Sequence, residues 1–384
     1  TALGVIPQKW EVKFLGDLLS RCTNGLTYDV SITCGIPVTR IETISTGEIN
    51  YAKVGYIPNE SGYETFRMQK GDILYSHINS LSQIGKVAYY KGDKEIYHGM
   101  NLLLLRANNC LDKQYLYYTL LTEHMRHMAQ IIAKPAVNQA SISTSDLKRV
   151  KIAVPPLAEQ RKIAEVLGVW DEAIEKQARL IEKLALRKRG LMQRLLSAKL
   201  RLPGFSDPWK ELKINKITII RKGEQVNKDV LFSNAKYPVI NGGITPSGYL
   251  DIYNTKANTI TISEGGNSCG YVNFMTTPFW SGGHCYTIEA KDGINNLFIY
   301  QLLKNNEKYI MSLRVGSGLP NIQIKDLGNL KFMIPTYQEQ TAIAEVLTAS
   351  DREIELAKEK LERLRRQKRG LMQKLLTGKK RVKY

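Results

Sequence analysis

Several fragments of this sequence could do chemistry, and each lacks a residue that the chemistry needs. A phosphate-cradling loop requires GxxxxGK followed by Ser or Thr, so that backbone, lysine and hydroxyl all meet the phosphates. The stretch SLSQIGKV keeps Gly85 and Lys86, but Ser80 stands where the first glycine belongs and Val87 replaces the hydroxyl. It reads as a turn. GSGLP at residues 316–320 is only a fragment of GxGxxG, too little for a dinucleotide site. An adenine methylase would show a polar-Pro-Pro-aromatic tetrad, and the only Pro-Pro, in VPPL, lacks both the polar and the aromatic residue. The five histidines show no metal-ligand spacing. His124 and His127, without a matching carboxylate or cysteine, read as the wet face of a Tyr-rich helix. DPWKELK offers the acidic-x-Lys order of a nuclease, in a tract short enough to recur by chance. No catalytic constellation remains, and the expectation is a chain without metal or cofactor of its own.

What remains is charge. Across 384 residues, 55 Lys and Arg face 36 Asp and Glu, a net charge of +19. A balance that basic calls for a polyanion, with nucleic acid ahead of an anionic membrane surface. Hydrophobic content of 43% and charged content of 24% are those of a globular protein with two or three cored domains. The five cysteines, Cys22, Cys34, Cys110, Cys269 and Cys285, are scattered and odd in number. They imply reduced, mostly structural thiols rather than a zinc ribbon or a disulfide framework. The start carries no signal-peptide pattern, and no apolar run approaches the roughly 18 residues of a spanning helix. The expectation is a cytoplasmic protein.

A long internal repeat organises the chain. VPPLAEQRKIAEVLGVWDEAIEKQARLIEKLALRKRGLMQRLL recurs as IPTYQEQTAIAEVLTASDREIELAKEKLERLRRQKRGLMQKLL, at a fixed offset of 180 residues and without a gap. Glu159 and Gln160 match Glu339 and Gln340, and Asp171 matches Asp351. A fainter repeat lies upstream. SISTSDLKRVKIAVP parallels NIQIKDLGNLKFMIP, and an extended segment ending in Ser76 or Ser263 is followed by a polar loop and then Gly85-x-Val87 or Gly270-x-Val272. Both halves open after a tryptophan, in PQKWEVKFLGDLL and SDPWKELKINKIT.

The repeated regions read as helices. Pro155-Pro156 and Pro335 end a strand and start a short helix carrying IAEVL. Asp171 and Asp351 are then expected to cap a second, longer helix whose first turn is acidic. Along it Ile174, Ile181, Leu184, Leu191 and Leu195, and likewise Ile354, Leu361, Leu364, Leu371 and Leu375, keep the 3-4 spacing of a coiled-coil seam. Gly190 and Gly370 inside these helices suggest close approach of another backbone. A helix over residues 171–198 would span about 42 Å at about 1.5 Å per residue, and two could pair antiparallel as a rod. The non-repeating regions alternate short β-rich runs (VAYY, NLLLLRA, TITIS, CYTIEA) with Gly/Asn/Ser turns, and each carries a helix near its end. The fold expected is α+β: a domain over 1–154, a helical region over 155–203, a second domain over 204–334 and a second helical region over 335–384.

Two divergent α+β domains alternating with two near-identical PPxxEQxxIAxxL…KRGLMQxLL helical regions resemble the specificity subunit of type I restriction–modification enzymes. The resemblance spans the whole chain. It implies a subunit without catalysis, whose two target-recognition domains each read one half of a split double-stranded DNA sequence. Its helices would act as spacer and as docking surface for two methyltransferase subunits, with restriction subunits joining that core. S-adenosylmethionine would then belong to the methyltransferase, and ATP and Mg to the restriction subunit. Self-association is expected of the isolated chain. Two readers about 42 Å apart would meet major grooves about one helical turn (roughly 34–36 Å) apart, which accounts for an unread gap.

Under this reading the polar loops supply the DNA contacts. In the first domain the candidates are Ser76, His77, Asn79, Ser82, Gln83 and Lys86. In the second they are Asn241, Thr245 and Ser247 of NGGITPSG together with Glu264, Asn267 and Ser268. Arg40, Lys53, Arg221, Lys222 and Arg314 are candidates for phosphate or guanine. The bland alternative for each is a turn residue or a solvated charge. The basic residues of the helices, Arg187, Lys188, Arg189, Arg365, Arg366, Lys368 and Arg369, read as coiled-coil flanks or partner surface rather than as DNA contacts. Two rival readings stand beside the first. One is the equivalent subunit of a system whose methylase and nuclease are fused in one partner; the other is a two-lobed scaffold that binds only proteins.

Overall fold

The computed structural model describes residues 5–136, 139–316 and 320–383. Two compact units emerge: one joins Thr1–Lys176 to Leu361–Tyr384, and the other is the continuous segment Gln177–Lys360.

In the first unit, strands β1 (Leu19–Asn24), β2 (Ile73–Tyr75), β3 (Val87–Tyr89) and β4 (Leu103–Ala107) form one antiparallel sheet in the order β1-β4-β2-β3. Side chains on a strand alternate between faces, and here both faces are covered. Ile73, Tyr75, Val87, Leu103 and Leu105 enter the main core, while Leu74, Ala88, Leu102 and Leu104 enter a smaller one with Ile44 and Met68. That explains why LLLL runs apolar without alternation. The helices Lys113–Leu120 and Glu123–Ile132 cover the main face, each started by a side-chain cap, Asp112 or Thr122, that accepts backbone N–H groups. The sheet of the second unit repeats the order. Its strands are β5 (Thr218–Lys222), β6 (Thr259–Ser263), β7 (Val272–Met275) and β8 (Cys285–Ala290), ordered β5-β8-β6-β7. Ile260, Ile262, Val272, Tyr286 and Ile288 fill its core.

The fainter parts of the repeat are as real as the stronger ones. The segments after the two tryptophans pair antiparallel with the strands that precede the prolines, Glu11–Phe14 with Lys151–Val154 and Lys210–Lys213 with Lys331–Ile334. Ser76 O accepts from the Gly85 amide and Ser263 O from the Gly270 amide, both at 2.8 Å. Both glycines adopt positive φ, 79° and 88°, where a Cβ is disfavoured.

The helical regions depart from expectation at one point. Instead of two helices meeting at Asp171 or Asp351, each region is one helix of 39 residues, Leu157–Leu195 and Tyr337–Leu375. No proline interrupts GVWDEA or TASDRE, and one glycine costs only about 1 kcal/mol, so the i→i−4 ladder continues through both aspartates. All ten seam residues are buried or half-buried. A side chain at Gly190 or Gly370 would meet open space, so close backbone approach does not explain these glycines.

Each unit holds the N-terminal half of one long helix and the C-terminal end of the other, running antiparallel. In the first unit Lys368 Nζ lies 2.5 Å from Asp171 Oδ1 and Arg381 Nε 2.5 Å from Glu159 Oε1. In the second, Lys188 Nζ lies 2.5 Å from Asp351 Oδ1 and Arg201 Nε 2.6 Å from Glu339 Oε1, while Arg187 pairs with Glu353. The KRGLMQ phrases thereby end inside cores: Leu375 and Leu376 in the first unit, Met192, Leu195 and Leu196 in the second. Full burial of one such leucine is worth about 1.5–3 kcal/mol.

Candidate nucleic-acid interface

The loops of the second unit converge on one edge of its sheet. Lys222 ends β5, Glu264 follows β6, and His284 precedes β8. Lys222 Nζ donates to Glu264 Oε1 at 2.6 Å, and Tyr286 Oη donates to the same oxygen at 3.0 Å. His284 Nδ1 lies 3.3 Å from Glu264 Oε2. The Glu264 main chain is pinned as well, its N–H on His284 O at 2.9 Å and its carbonyl accepting from Ile322 N at 2.8 Å. Burial alone would raise this carboxyl, but the hydrogen bonds from Lys222 and Tyr286 outweigh it and hold it below the usual carboxylate range. The Tyr286 phenol is pushed up, by burial first and then by Glu264.

The NGGITPSG loop joins the same edge. Asn241 Oδ1 accepts from the His284 amide at 3.1 Å, and Gly242 O accepts from Ser263 Oγ and Ser268 Oγ, each at 2.5 Å. Thr245, Ser247 and Asn267 are exposed. Of the sequence candidates, Lys222, Asn241, Glu264 and Ser268 are therefore brought into one network. Arg221 pairs with Glu289 on the neighbouring strand at 2.8 Å, and Arg314 is exposed. His284 and Tyr286 were missed by the sequence reading. The only signal was position: SGGHCY runs into the strand that pairs with TITIS.

In the first unit the arrangement differs. Lys86 Nζ donates to Ser45 O at 2.7 Å, which ties the hairpin loop to the segment carrying Arg40 and Lys53. Within that segment Thr43 Oγ1 accepts from the Arg40 amide at 2.9 Å and donates to Lys53 O at 2.5 Å. Arg40 lies 3.5 Å from Glu42. Ser82 is exposed, Gln83 is half-buried, and Arg126 from the helix below donates to Ser82 O at 3.1 Å. Ser76 and His77, expected at the surface, are instead buried. Ser76 Oγ accepts from Asn79 Nδ2 at 3.2 Å inside the turn. The His77 ring, whose Nδ1 has no protein partner, lies within the fold, and burial lowers its pKa to about 4. Being consecutive, Ser76 and His77 point to opposite faces just past the strand's end, and both faces are covered there.

The comparisons with known proteins bear on this arrangement. The family model for the type I restriction modification DNA specificity domain matches twice, over residues 7–185 and 206–366. The chain belongs to the type I restriction–modification specificity family. Among relatives of this specificity subunit, one of Methanocaldococcus jannaschii, named as the type I restriction enzyme MjaX specificity subunit, is 36% identical. The alignment covers 100% of this chain and 96% of the relative. The MjaVIII specificity subunit of the same organism is 24% identical over 98% of this chain and 94% of its own length. In fold, the crystal structure of the type I system S subunit from M. genitalium aligns with a TM-score of 0.65 and 22% identity, over 97% of both chains.

Among the described residues no group of three or more His, Cys, Asp or Glu is placed to hold a metal ion. Cys22, Cys269 and Cys285 are buried, Cys34 and Cys110 exposed, and none is paired. Burial pushes the Cys285 thiol up to about 11. His124 and His127 are exposed on the helix Glu123–Ile132. The segment 317–319 of GSGLP lies outside the described residues. No described helix is long and apolar enough to cross a membrane.

Proposed function

We propose that this specificity subunit binds a bipartite double-stranded DNA target, each unit reading one half-site from the polar edge of its sheet. The long helices dock two adenine methyltransferase subunits, and restriction subunits join that assembly in the cytoplasm. The chain itself catalyses nothing. S-adenosylmethionine is bound by the methyltransferase, ATP and Mg by the restriction subunit. The observation that carries this reading is a repeated frame with unrepeated edges. Sheet order, closing strands and helix contacts recur in both units, while the polar side chains at the sheet edge differ. Two copies of one frame give equivalent placement on two stretches of DNA, and different edges give each stretch its own sequence. The net charge of +19 supplies the salt-dependent attraction to phosphates that such readers require.

The test is a map of methylated adenines in a genome where this chain is the only specificity subunit. The expected pattern is one bipartite sequence with an unread gap. Replacing residues 1–150 with the same region of a relative should change one half-site and leave the other intact. Methylation at a single continuous sequence, or a swap that alters both halves, would overturn the reading.

A further inference from the structure

The Glu264 network has more organisation than phosphate attraction needs. A carboxylate at a DNA-facing edge repels the backbone, yet here it sits with its side chain only 13% exposed while the groups around it are open, Lys222 at 53% and His284 at 62%. Its two oxygens already take three donors. Glu264 is largely buried with most of its acceptor capacity taken, so its effect falls mainly on the two groups it holds. The imidazole is directed most. In the tautomer that donates Nδ1–H to Glu264 Oε2, a neutral ring keeps its lone pair on Nε2. Lys222 spends one of its three ammonium hydrogens on Glu264.

We propose that Lys222 and His284 read one G·C base pair of the second unit's half-site, with Glu264 as the positioning residue. This rests on the reading that the unit binds DNA. The major-groove edge of G·C offers N7 and O6 of guanine as acceptors and the N4 amine of cytosine as donor. Lys222 supplies the donor for guanine, and neutral His284 Nε2 accepts from cytosine. With the two remaining ammonium hydrogens of Lys222 on N7 and O6 and the imidazole on N4, the pair is told from A·T and T·A, where a donor separates the two acceptors. The first unit has no equivalent: the residue after its matching serine is His77, which is buried. Glu264 lies against the His284 ring, and Lys222 from β5 and Tyr286 from the following strand share that carboxylate.

The experiment uses the assembled complex with its methyltransferase partner on duplexes varied at each position of the mapped target. His284→Ala should lower discrimination at one G·C pair by about tenfold or more, within the range of a lost base contact, with the other half-site unchanged. Glu264→Gln, which keeps the size and loses the charge that holds Lys222, should lower discrimination at that same pair and leave the other positions of the half-site unchanged, a pattern that loosening of the fold alone would not produce. Discrimination kept at every position in His284→Ala, or lost equally at all positions in Glu264→Gln, overturns the proposal while leaving bipartite methylation standing. Loss of a bipartite pattern in the unsubstituted complex would instead defeat the functional reading beneath it. Should Glu264→Gln abolish methylation altogether, the exposed His284→Ala still decides.

Discussion

The two units close on themselves with the same residues and then diverge in the polar loops at the ends of their sheets. Trp10 Nε1 donates to Glu159 Oε2 at 3.1 Å, and Trp209 Nε1 to Glu339 Oε2 at 3.0 Å. The guanidinium of Arg381 grips the first carboxylate and that of Arg201 the second, each through two nitrogens, and each stacks over the same tryptophan, at 6.0 and 5.8 Å. Gln160 and Gln340 repeat the pattern. Their amides donate to Pro155 O and Pro335 O, and their oxygens accept the backbone N–H at the start of the domain helix, Asp112 or Asn295. The comparison teaches that the Glu-Gln pair recurs because it closes each unit. In each case the arginine comes from the tail of one long helix and the glutamate from the first turn of the other.

The strongest way to break this equivalence is to remove one arginine. Both carboxylates are buried, and a buried charge stripped of its partner costs about 3–5 kcal/mol. Arg381→Ala should destabilise the unit containing Glu159, and Arg201→Ala the unit containing Glu339. Hydrogen exchange resolved by segment checks this: acceleration should concentrate in 5–176 for the first variant and in 177–360 for the second. Equal acceleration in both units for either variant would show that closure is not local.

Acid should separate the units next. The first contains two buried histidines, His77 and His98, both held near a pKa of about 4 by burial, and both with an unpartnered Nδ1. The second unit's His284 is exposed. A histidine depressed in the fold takes its proton in the unfolded chain at about 6.5, before the folded state can. Its stabilising contribution is complete above about 6.5 and is lost as pH falls toward about 4, a few kcal/mol for the pair. Thermal melts monitored by segment should show the first unit weakening before the second over that window. His98→Gln should narrow the difference; if acid weakens both units in step, the buried imidazoles are not the cause.

A smaller effect lies where the helices end. Gly378 has φ 72° and its counterpart Ala198 φ 58°. The left-handed region costs an alanine roughly 1–2 kcal/mol, so Ala198→Gly should raise the stability of the second unit by about 1 kcal/mol. Gly378→Ala should do the reverse and worse, since a Cβ there would come within 2.4 Å of Pro7. A rise in midpoint for both variants would mean that packing rather than backbone conformation governs these positions.

Much of the frame was legible because repetition is visible without any alignment. The seam positions, the closing strands and the Gly85 and Gly270 turns all follow from comparing the chain with itself. The continuity of the long helices was not, because Asp171 and Asp351 carry every local mark of an N-cap and only tertiary contacts show otherwise. Asp171 accepts from Tyr118 Oη at 2.7 Å and Asp351 from Gln301 Nε2 at 2.8 Å. Those partners come from the domain helices, 53 and 50 residues away. The polar edges were half legible. Loop residues were found by their hairpins, but His77 and Glu264 occupy matching places and only burial shows that one is inside and the other is held by three donors.

The same two aspartates give the finest test of equivalence. Lys368 and Lys188 make matching ion pairs with them, and both lysines are largely buried while the aspartates are more open. Lys368 has one further contact, its ammonium 5.0 Å above the Tyr118 ring. Such a cation–π contact is worth about 0.5–1 kcal/mol where solvent reaches it, on top of a pair that alone contributes about 1 kcal/mol or less. Lys368→Ala should therefore cost slightly more than Lys188→Ala. The excess should vanish when Tyr118 is replaced by Leu, whose own cost through the lost Asp171 hydrogen bond is subtracted by the double-mutant cycle. An excess that survives in the Tyr118→Leu background would place the difference in the helix packing instead of in the ring.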